Sequence, residues 1–425
     1  MIKDIGAEIP LLLLLFIMGG ILCKGICSKD SSKVFCPLMF IVVYLAYYVV
    51  VPFFFSEGDI YGRGNEDSVP YLMWGAFISL TSILLGFRYS VRRNFFKRLN
   101  LLYREENIFF VGIVLFIVGL GSYVLMKGFA FKVIAVQDEM FVSGDNIFNH
   151  GDTYITNFVS LLPASAILIF ASNKKKWISW VVILFAILIA LMGGGRWRFV
   201  TIIVPFFCFI HLYPNPRRIN YIRWIPLAVI VVYAMGIIEK TRNYGSGLDL
   251  EALQQMDQKV LSEGAKENEL VYYFSAGVME KYEYEEPLYF EPIITALTMP
   301  LPRSVFPWKP DAQYLRDANL RVLGTLDHGA AYLNFVEGYL SFGWIGIVFN
   351  GFLIGFLSRI FWDNYRRNRK SIGAILFLSL YNSVLYMFIS RGYLAQELVV
   401  FIYFIPVVYW VSRLSLKFFC NSKYN

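Results

Sequence analysis

The chain has 425 residues, of which 57% are hydrophobic and only 16% are charged, and its mean hydropathy is +0.54. A soluble domain of ordinary composition carries about a quarter charged residues, so this composition excludes such a domain and indicates that apolar runs face lipid. In a soluble protein the net charge of +8 would suggest nucleic acid as a partner. Here the basic residues lie mainly in short loops between apolar runs, which is typical of oriented membrane helices.

The apolar runs predict an all-α polytopic membrane protein with about eleven transmembrane helices. Lys24, Lys29 and Lys33 follow the first run, and no small-residue cleavage site comes after it, so we interpret this run as a retained helix and not as a signal peptide. The predicted spans, in chain order, are 9–23, 34–55, 70–87, 108–126, 153–171, 177–192, 198–212, 222–238, 338–361, 372–389 and 395–412.

Every second loop between these spans is short and basic. The positive-inside rule places such loops in the cytoplasm, so the amino terminus is predicted to lie outside and the carboxyl terminus inside. The basic segments are 24–33, 88–107, 172–176, 213–223, 363–370 and the tail after the last span. The predicted organisation is therefore eight helices over 1–238, a large periplasmic loop over 239–337, and three helices with a cytoplasmic tail over 338–425.

The long outer loop has the composition of a folded segment. The patterning predicts an amphipathic helix within 249–284 and a short helix over 311–323. Between them, residues 286–302 are rich in proline, aromatic and apolar side chains, and we expect them to lie at the bilayer surface or to dip into it. A loop of this length in a compact protein is usually functional.

Cysteine and histidine spacing gives no indication of a disulfide or a metal site. The five cysteines fall in predicted spans or on the cytoplasmic side, and no cluster of metal-ligand spacing occurs. No cofactor is therefore expected.

Arginine is costly near a bilayer core, yet several arginines occur where predicted spans reach their outer ends. They are Arg196 and Arg198 in GGGRWR, Arg242 after the eighth span, Arg303 with Lys309 in MPLPRSVFPWKP, and Arg391 in SRGY. The guanidinium fork matches phosphate bidentately and stays charged. If the spans bundle, these side chains can converge, so the pattern predicts a pyrophosphate site at the outer rim. The alternative, that each arginine is an interfacial anchor or pairs with a nearby carboxylate, remains open at this point.

Two side chains near the start of the ninth span are candidates for a general base, Glu337 and His328. Glu337 could instead pair with Arg303 or Arg391, and His328 could be an ordinary solvated loop residue. The outer loop is also rich in aromatic side chains, among them Trp308 and Tyr332. Such rings suit sugars and the membrane interface equally well.

Four stretches resemble the bacterial Wzy-type O-antigen (oligosaccharide repeat-unit) polymerases, most strongly over about 190–400. They are GGGRWRF, MPLPRSVFPWKPDAQ, AAYLNFVEGYLSFGWIGIVFNGFL and SRGY. The resemblance implies a GT-C-like fold and an inverting glycosyltransferase at the periplasmic face of the bacterial inner membrane. Its donor and acceptor would be undecaprenyl-pyrophosphate-linked oligosaccharides, with membrane lipids, a flippase and a chain-length regulator as further partners and no nucleic acid.

The resemblance also implies roles for the candidate residues. Arg196, Arg198, Arg242, Arg303, Lys309 and Arg391 would hold the pyrophosphate, Glu337 or His328 would deprotonate the acceptor hydroxyl, and Tyr332, Asn334 and Trp308 would contact sugar or shape the loop. Three other functions remain possible from the sequence. They are an O-antigen ligase with the same donor, a lipid-linked oligosaccharide flippase or other transporter, and a scaffold whose arginines bind anionic lipid.

Overall fold

The computed structural model describes residues 6–55, 66–89, 103, 105–127, 157–192, 196–219, 242–243, 247–248, 260–298, 307–308, 313–324 and 331–422. Over these residues the regular structure is helical, apart from one two-residue antiparallel ladder between β1 (Arg242–Asn243) and β2 (Gly247–Leu248). The predicted all-α class is thereby confirmed for the described residues.

The helices are numbered in chain order. They are α1 Glu8–Ile26, α2 Pro37–Phe55, α3 Val69–Arg88, α4 Glu105–Lys127, α5 Leu162–Ala171, α6 Lys176–Met192, α7 Arg196–Leu212, α8 Val260–Lys281, α9 Glu291–Thr298, α10 Gln313–Leu323, α11 Asn334–Arg367, α12 Ile372–Ser390, and α13, which runs from Leu394–Ile402 through Tyr403–Val407 to Val408–Ser422. Helices α2 and α13 each contain a π-helical turn, at Ala46–Val50 and Tyr403–Val407.

Seven of the described helices are long and apolar enough to cross a membrane, namely α1, α2, α3, α4, α11, α12 and α13. Three predicted spans correspond to shorter apolar helices, Asn157–Ala171, Lys176–Ile189 and Phe199–Leu212. The predicted span at 222–238 lies outside the described residues. The total of eleven, the orientation and the GT-C-like arrangement stay predictions.

The chain forms two compact units. The first consists of Met1–Ser90, Lys259–Arg359 and Leu385–Glu397. Within it α8 packs against α3 and against the π-helical turn of α2. Helices α3 and α11 approach closely enough that a Cβ at Gly86 would lie 2.1 Å from the carbonyl oxygen of Phe352. Small residues at such contacts are how membrane helices gain packing energy without a hydrophobic driving force.

The second unit consists of Val91–Gln258, Ile360–Val384 and Leu398–Asn425. Helices α4, α5 and α6 pack in sequence, and α4 also contacts the last part of α13. Two serine hydroxyls bridge between helices here, since Ser165 donates to the Gly112 carbonyl at 2.7 Å and Ser179 donates to the Ala166 carbonyl at 2.6 Å. These bonds satisfy hydroxyl groups where no water is available.

Helix α11 differs from the predicted single span at 338–361. It is broken at Phe342 and Gly343, where Gly343 has a φ of +61°. The arm before the break folds back on the arm after it, because Gly338 meets Gly346 and the Asn350 side chain reaches Asn334. As the position on the first arm moves from Gly338 back to Asn334, its partner on the second arm moves forward from Gly346 to Asn350, so the two arms are antiparallel. Only the second arm, about 36 Å long, can cross a bilayer, so the predicted span was wrong at its start.

The hairpin of α11 fixes the depth of its first residues. Asn334 lies beside Asn350, which is about 10 Å beyond the Gly343 tip along the helix axis. Residues at the start of the first arm are therefore set back from the tip by nearly two helical turns. The chain thus reaches Asn334 partway along the second arm, runs to the tip at Gly343 and then returns along that arm.

The described part of the outer loop contains α8, α9 and α10. The short helix predicted over 311–323 is confirmed as Gln313–Leu323, and the amphipathic helix predicted within 249–284 is confirmed over Val260–Lys281. The part of that prediction before residue 260 lies outside the described residues.

Candidate active site

The first arm of α11 and the turn before α13 meet through main-chain contacts inside the first unit. The N–H of Gly392 donates to the carbonyl of Tyr332 at 2.6 Å. A side chain at residue 392 is excluded, because a Cβ there would lie 2.3 Å from the ring of Tyr332. The glycine of the SRGY turn therefore lets the chain beside Arg391 lie directly against the segment that carries Glu337.

Glu337 lies in this contact and is 3% exposed. One carboxylate oxygen accepts a hydrogen bond from the Tyr314 hydroxyl at 2.9 Å, and the other accepts from the N–H of Leu394 at 2.7 Å. Leu394 is the first residue of α13, where N–H groups have no partner within their own helix. Glu337 thus caps a helix other than its own, and the positive end of that helix dipole favours a carboxylate there.

A second buried acid, Glu397, lies one turn into α13. Its Oε1 accepts from the side-chain amide of Asn334 at 2.5 Å, and the side-chain Oδ1 of Asn334 in turn accepts from the Asn350 amide at 2.5 Å. Asn334 is the first residue of α11 and Glu337 lies three residues later, so both face α13 from one side of the arm. The two helix starts are therefore joined by two parallel links, Glu337 to Leu394 and Asn334 to Glu397.

Two tyrosines complete the polar surroundings of Glu337. Burial, and then the negative charge of Glu337, raises the pKa of Tyr314 well above its usual value. Tyr314 is therefore a hydrogen-bond donor throughout the physiological pH range. Burial and the same carboxylate also raise the pKa of Tyr332.

Tyr332 is 1% exposed, and its buried hydroxyl has no hydrogen-bond partner within the described part of the chain. Leaving a buried hydroxyl unpaired costs roughly 1–3 kcal/mol. Such an atom beside a buried carboxylate is a place where a bound hydroxyl or water would be stabilised.

The predicted site residues divide according to what the structure describes. Glu337, Tyr332 and Asn334 are brought together, and the turn that begins at Arg391 lies against them. Arg391 itself is half-buried. Trp308 is exposed on a turn.

The remaining predicted site residues fall in parts whose side chains the structure does not describe. Arg196 and Arg198 lie in the first turn of α7 and Arg242 lies in β1, but their side chains are outside the described set. Arg303, Lys309 and His328 lie wholly outside it. The convergence of the arginines stays a prediction.

Sequence reasoning missed three members of the polar group, Glu397, Asn350 and Tyr314. Glu397 could have been found, because an acid three residues into an apolar span is expensive unless it has a partner and a role. Asn350 could not, since its contact with Asn334 exists only because α11 folds back.

The arrangement can take up a proton. A buried carboxylate held by two donors, beside an unpaired hydroxyl, has the position of a general base once a substrate hydroxyl comes within reach. Among the described residues, no group of three or more His, Cys, Asp or Glu side chains is placed to hold a metal ion.

Comparisons with known proteins give one result. A family model described as O-antigen polysaccharide polymerase Wzy matches residues 5–422, nearly the whole chain. No curated protein and no solved structure matches. The match covers both units, the four stretches that carry the resemblance and the buried acids. The chain, with its apolar helices and its acid-centred site, belongs to the O-antigen polysaccharide polymerase Wzy family.

Proposed function

We propose that the protein joins undecaprenyl-pyrophosphate-linked oligosaccharide repeat units into O-antigen polysaccharide at the periplasmic face of the bacterial inner membrane. Membership of the Wzy family supports O-antigen polymerisation. The lipid-linked donor, the inverting mechanism and the periplasmic site form the finer proposal. They agree with a buried acid near the start of a membrane-spanning helix and with a long loop before it.

The reaction transfers a glycan from one lipid carrier to another glycan. Glu337 removes the proton from a hydroxyl at the non-reducing end of the acceptor repeat unit. The acceptor oxygen then attacks the anomeric carbon of the donor from the face opposite the leaving group, and the bond between that carbon and the pyrophosphate oxygen breaks. The electron pair leaves with undecaprenyl pyrophosphate, so the anomeric configuration inverts and the carboxyl of Glu337 carries the proton.

The surroundings of Glu337 carry the proposal. Tyr314 and the N–H of Leu394 fix both carboxylate oxygens, which holds the acid in one orientation. The unpaired hydroxyl of Tyr332 is available to bind the acceptor hydroxyl or its sugar. Positioning of this kind contributes several kcal/mol to catalysis, because a hydroxyl held in place no longer loses its motional freedom in the transition state.

The leaving group requires positive charge. We assign the pyrophosphate to Arg196, Arg303 and Arg391, with Arg198, Arg242 and Lys309 in support. Arg391 precedes the glycine that contacts Tyr332, so its turn lies beside the proposed base. Each charge-assisted bond contributes about 1.5–3 kcal/mol, and bonds that strengthen as charge develops on the leaving oxygen accelerate the reaction.

The decisive experiment uses purified protein in vesicles with a defined lipid-linked repeat unit, and separates the products on a gel. We expect E337Q to fold but to form no polymer. Glutamine keeps one oxygen to accept the Leu394 N–H, and its amide can donate to Tyr314, so both contacts survive while the base is lost. The matched control is E285Q, the same change at an exposed acid, which should polymerise normally.

Polymer formation by E337Q at the wild-type rate would remove Glu337 as the base. If H328A alone then lost activity, the role would pass to His328. In cells, loss of a polymerase leaves single-repeat caps on the lipid core, whereas loss of a ligase leaves bare core. Bare core in the deletion strain would contradict polymerisation as the function.

A further inference from the structure

Helix α9 has its large apolar side chains on the outside. Phe290, Ile294 and Leu297 lie at spacings of four and three residues, which places them on one face. This face points outward, since Phe290 is 60% exposed and Leu297 is 65% exposed. A helix of a soluble protein has the opposite arrangement, with large apolar residues packed inward.

The inward face of α9 is small and partly polar. Pro292, Thr295, Ala296 and Thr298 are buried, and the Thr298 hydroxyl donates to the carbonyl of Ile294 at 2.7 Å. Small residues at a helix contact are typical of helices packed inside a membrane. No Lys, Arg or Asp occurs in α9, and its one acid, Glu291, is at its first position.

The outward face continues into a membrane-spanning helix. The ring of Phe290 contacts the ring of Phe342 at the tip of the α11 hairpin, with centroids 5.2 Å apart, and Leu288 N–H donates to the Leu340 carbonyl at 2.8 Å. Three residues after Phe342, Ile345 is 78% exposed on the arm that crosses the bilayer. The exposed apolar surface of α9 is therefore fixed to the end of a span whose own exposed side chains face lipid.

We infer that α9 lies in the bilayer, with Phe290, Ile294 and Leu297 among the acyl chains. At about 12 Å the helix is too short to cross, so it enters one leaflet beside the tip of the α11 hairpin. Burial of each large side chain in lipid stabilises this position. The outer loop is thus anchored in the membrane in its middle as well as at its ends.

Spin labels on single cysteines test this placement in vesicles of phosphatidylethanolamine and phosphatidylglycerol. The five native cysteines are first replaced, and labels are then placed with L297C and, as a second position on the same face, F290C. Collisions with oxygen, which concentrates in lipid, are compared with collisions with a water-soluble nickel chelate. The lipid reference is I345C, and the water reference is Y284C, whose side chain in the wild type is 92% exposed beside the acidic residues Glu285 and Glu286.

We expect the labels at 297 and 290 to give an oxygen-to-nickel collision ratio close to that of the label at 345. A ratio like that of the label at 284 would place α9 in water and overturn the inference. Protection from both reagents would overturn it too, because the face would then be covered by protein, either a second copy of the chain or a partner. The measurement is independent of polymerase activity.

Discussion

Substitution of Gly346 by alanine tests whether the α11 hairpin positions the site. A Cβ at residue 346 would lie 1.9 Å from the carbonyl oxygen of Gly338, whereas real Cβ atoms essentially never come within 3.0 Å of such an atom. The two arms must therefore separate by about 1 Å, the kind of overpacking that costs roughly 1–3 kcal/mol.

Separation of the two arms also lowers the stability by weakening a hydrogen bond at the end of the arms away from the tip. The Asn350 amide is 3.2 Å from the main-chain carbonyl of Asn334, and an added 1 Å would take this contact beyond hydrogen-bonding distance. Loss of that bond adds about 1 kcal/mol, which brings the expected total to about 2–4 kcal/mol. Glu337 lies on the displaced arm, and a shift of about 1 Å at a catalytic group can reduce the rate about 100-fold.

Thermal unfolding in detergent and polymer yield in the vesicle assay measure the two effects. The matched control is G20A, because a Cβ at that helical position meets nothing within 4 Å. A third variant, G343A, has open space around it but a φ of +61°, so we expect strain of about 1–3 kcal/mol without a clash. If G346A unfolded at the same temperature as G20A and gave the same polymer yield, the close pairing of the two arms would be wrong.

Three further substitutions separate the proposed roles. R303A should abolish long-chain polysaccharide on gels while membrane fractions still contain the protein, and normal ladders would remove Arg303 from the pyrophosphate site. N334D replaces the amide that donates to Glu397 at 2.5 Å with a second carboxyl group. We expect N334D to be less stable than N334A by about 3 kcal/mol in the free energy of unfolding, and therefore to unfold at a lower temperature. Equal unfolding temperatures for the two variants would contradict this. R321A removes an exposed ion pair with Glu285 at 2.8 Å and the contact of the guanidinium with the Tyr282 ring, 4.9 Å from its centroid, so unfolding should change by no more than about 1–2 kcal/mol and polymer yield should be unchanged; lost activity would give Arg321 a role in the site.

The sequence predicted the described apolar helices well, because length and hydropathy decide which segments lipid can accept. It did not predict the fold-back in α11. The predicted span at 338–361 contains only one charged residue, Arg359, and hydropathy carries no information on chain direction. The break depends on the left-handed conformation of Gly343 and on the contact between Gly338 and Gly346, which become visible only when the arms are paired in space.

The candidate site was predicted in part. Glu337, Asn334 and Tyr332 belong to one segment of sequence. Residues this close along the chain are also close in space, so the sequence could group them. Tyr314 and Glu397 come from two other segments, and only packing brings Tyr314 to Glu337 and Glu397 to Asn334. A pattern of residue types along the chain indicates which side chains are costly to bury, but it does not indicate which distant group satisfies them.

Helix α12 (Ile372–Ser390) is buried along its whole length. A helix with no surface left for lipid needs neighbours on every side, and α12 is synthesised after α1 to α11 of the described helices. The helices synthesised earlier therefore cannot complete their packing until α12 is inserted among them. A nonsense mutation within α12 would remove a helix that is packed on every side, so the preceding helices could not complete their packing. We expect cellular quality-control proteases to degrade the truncated chain.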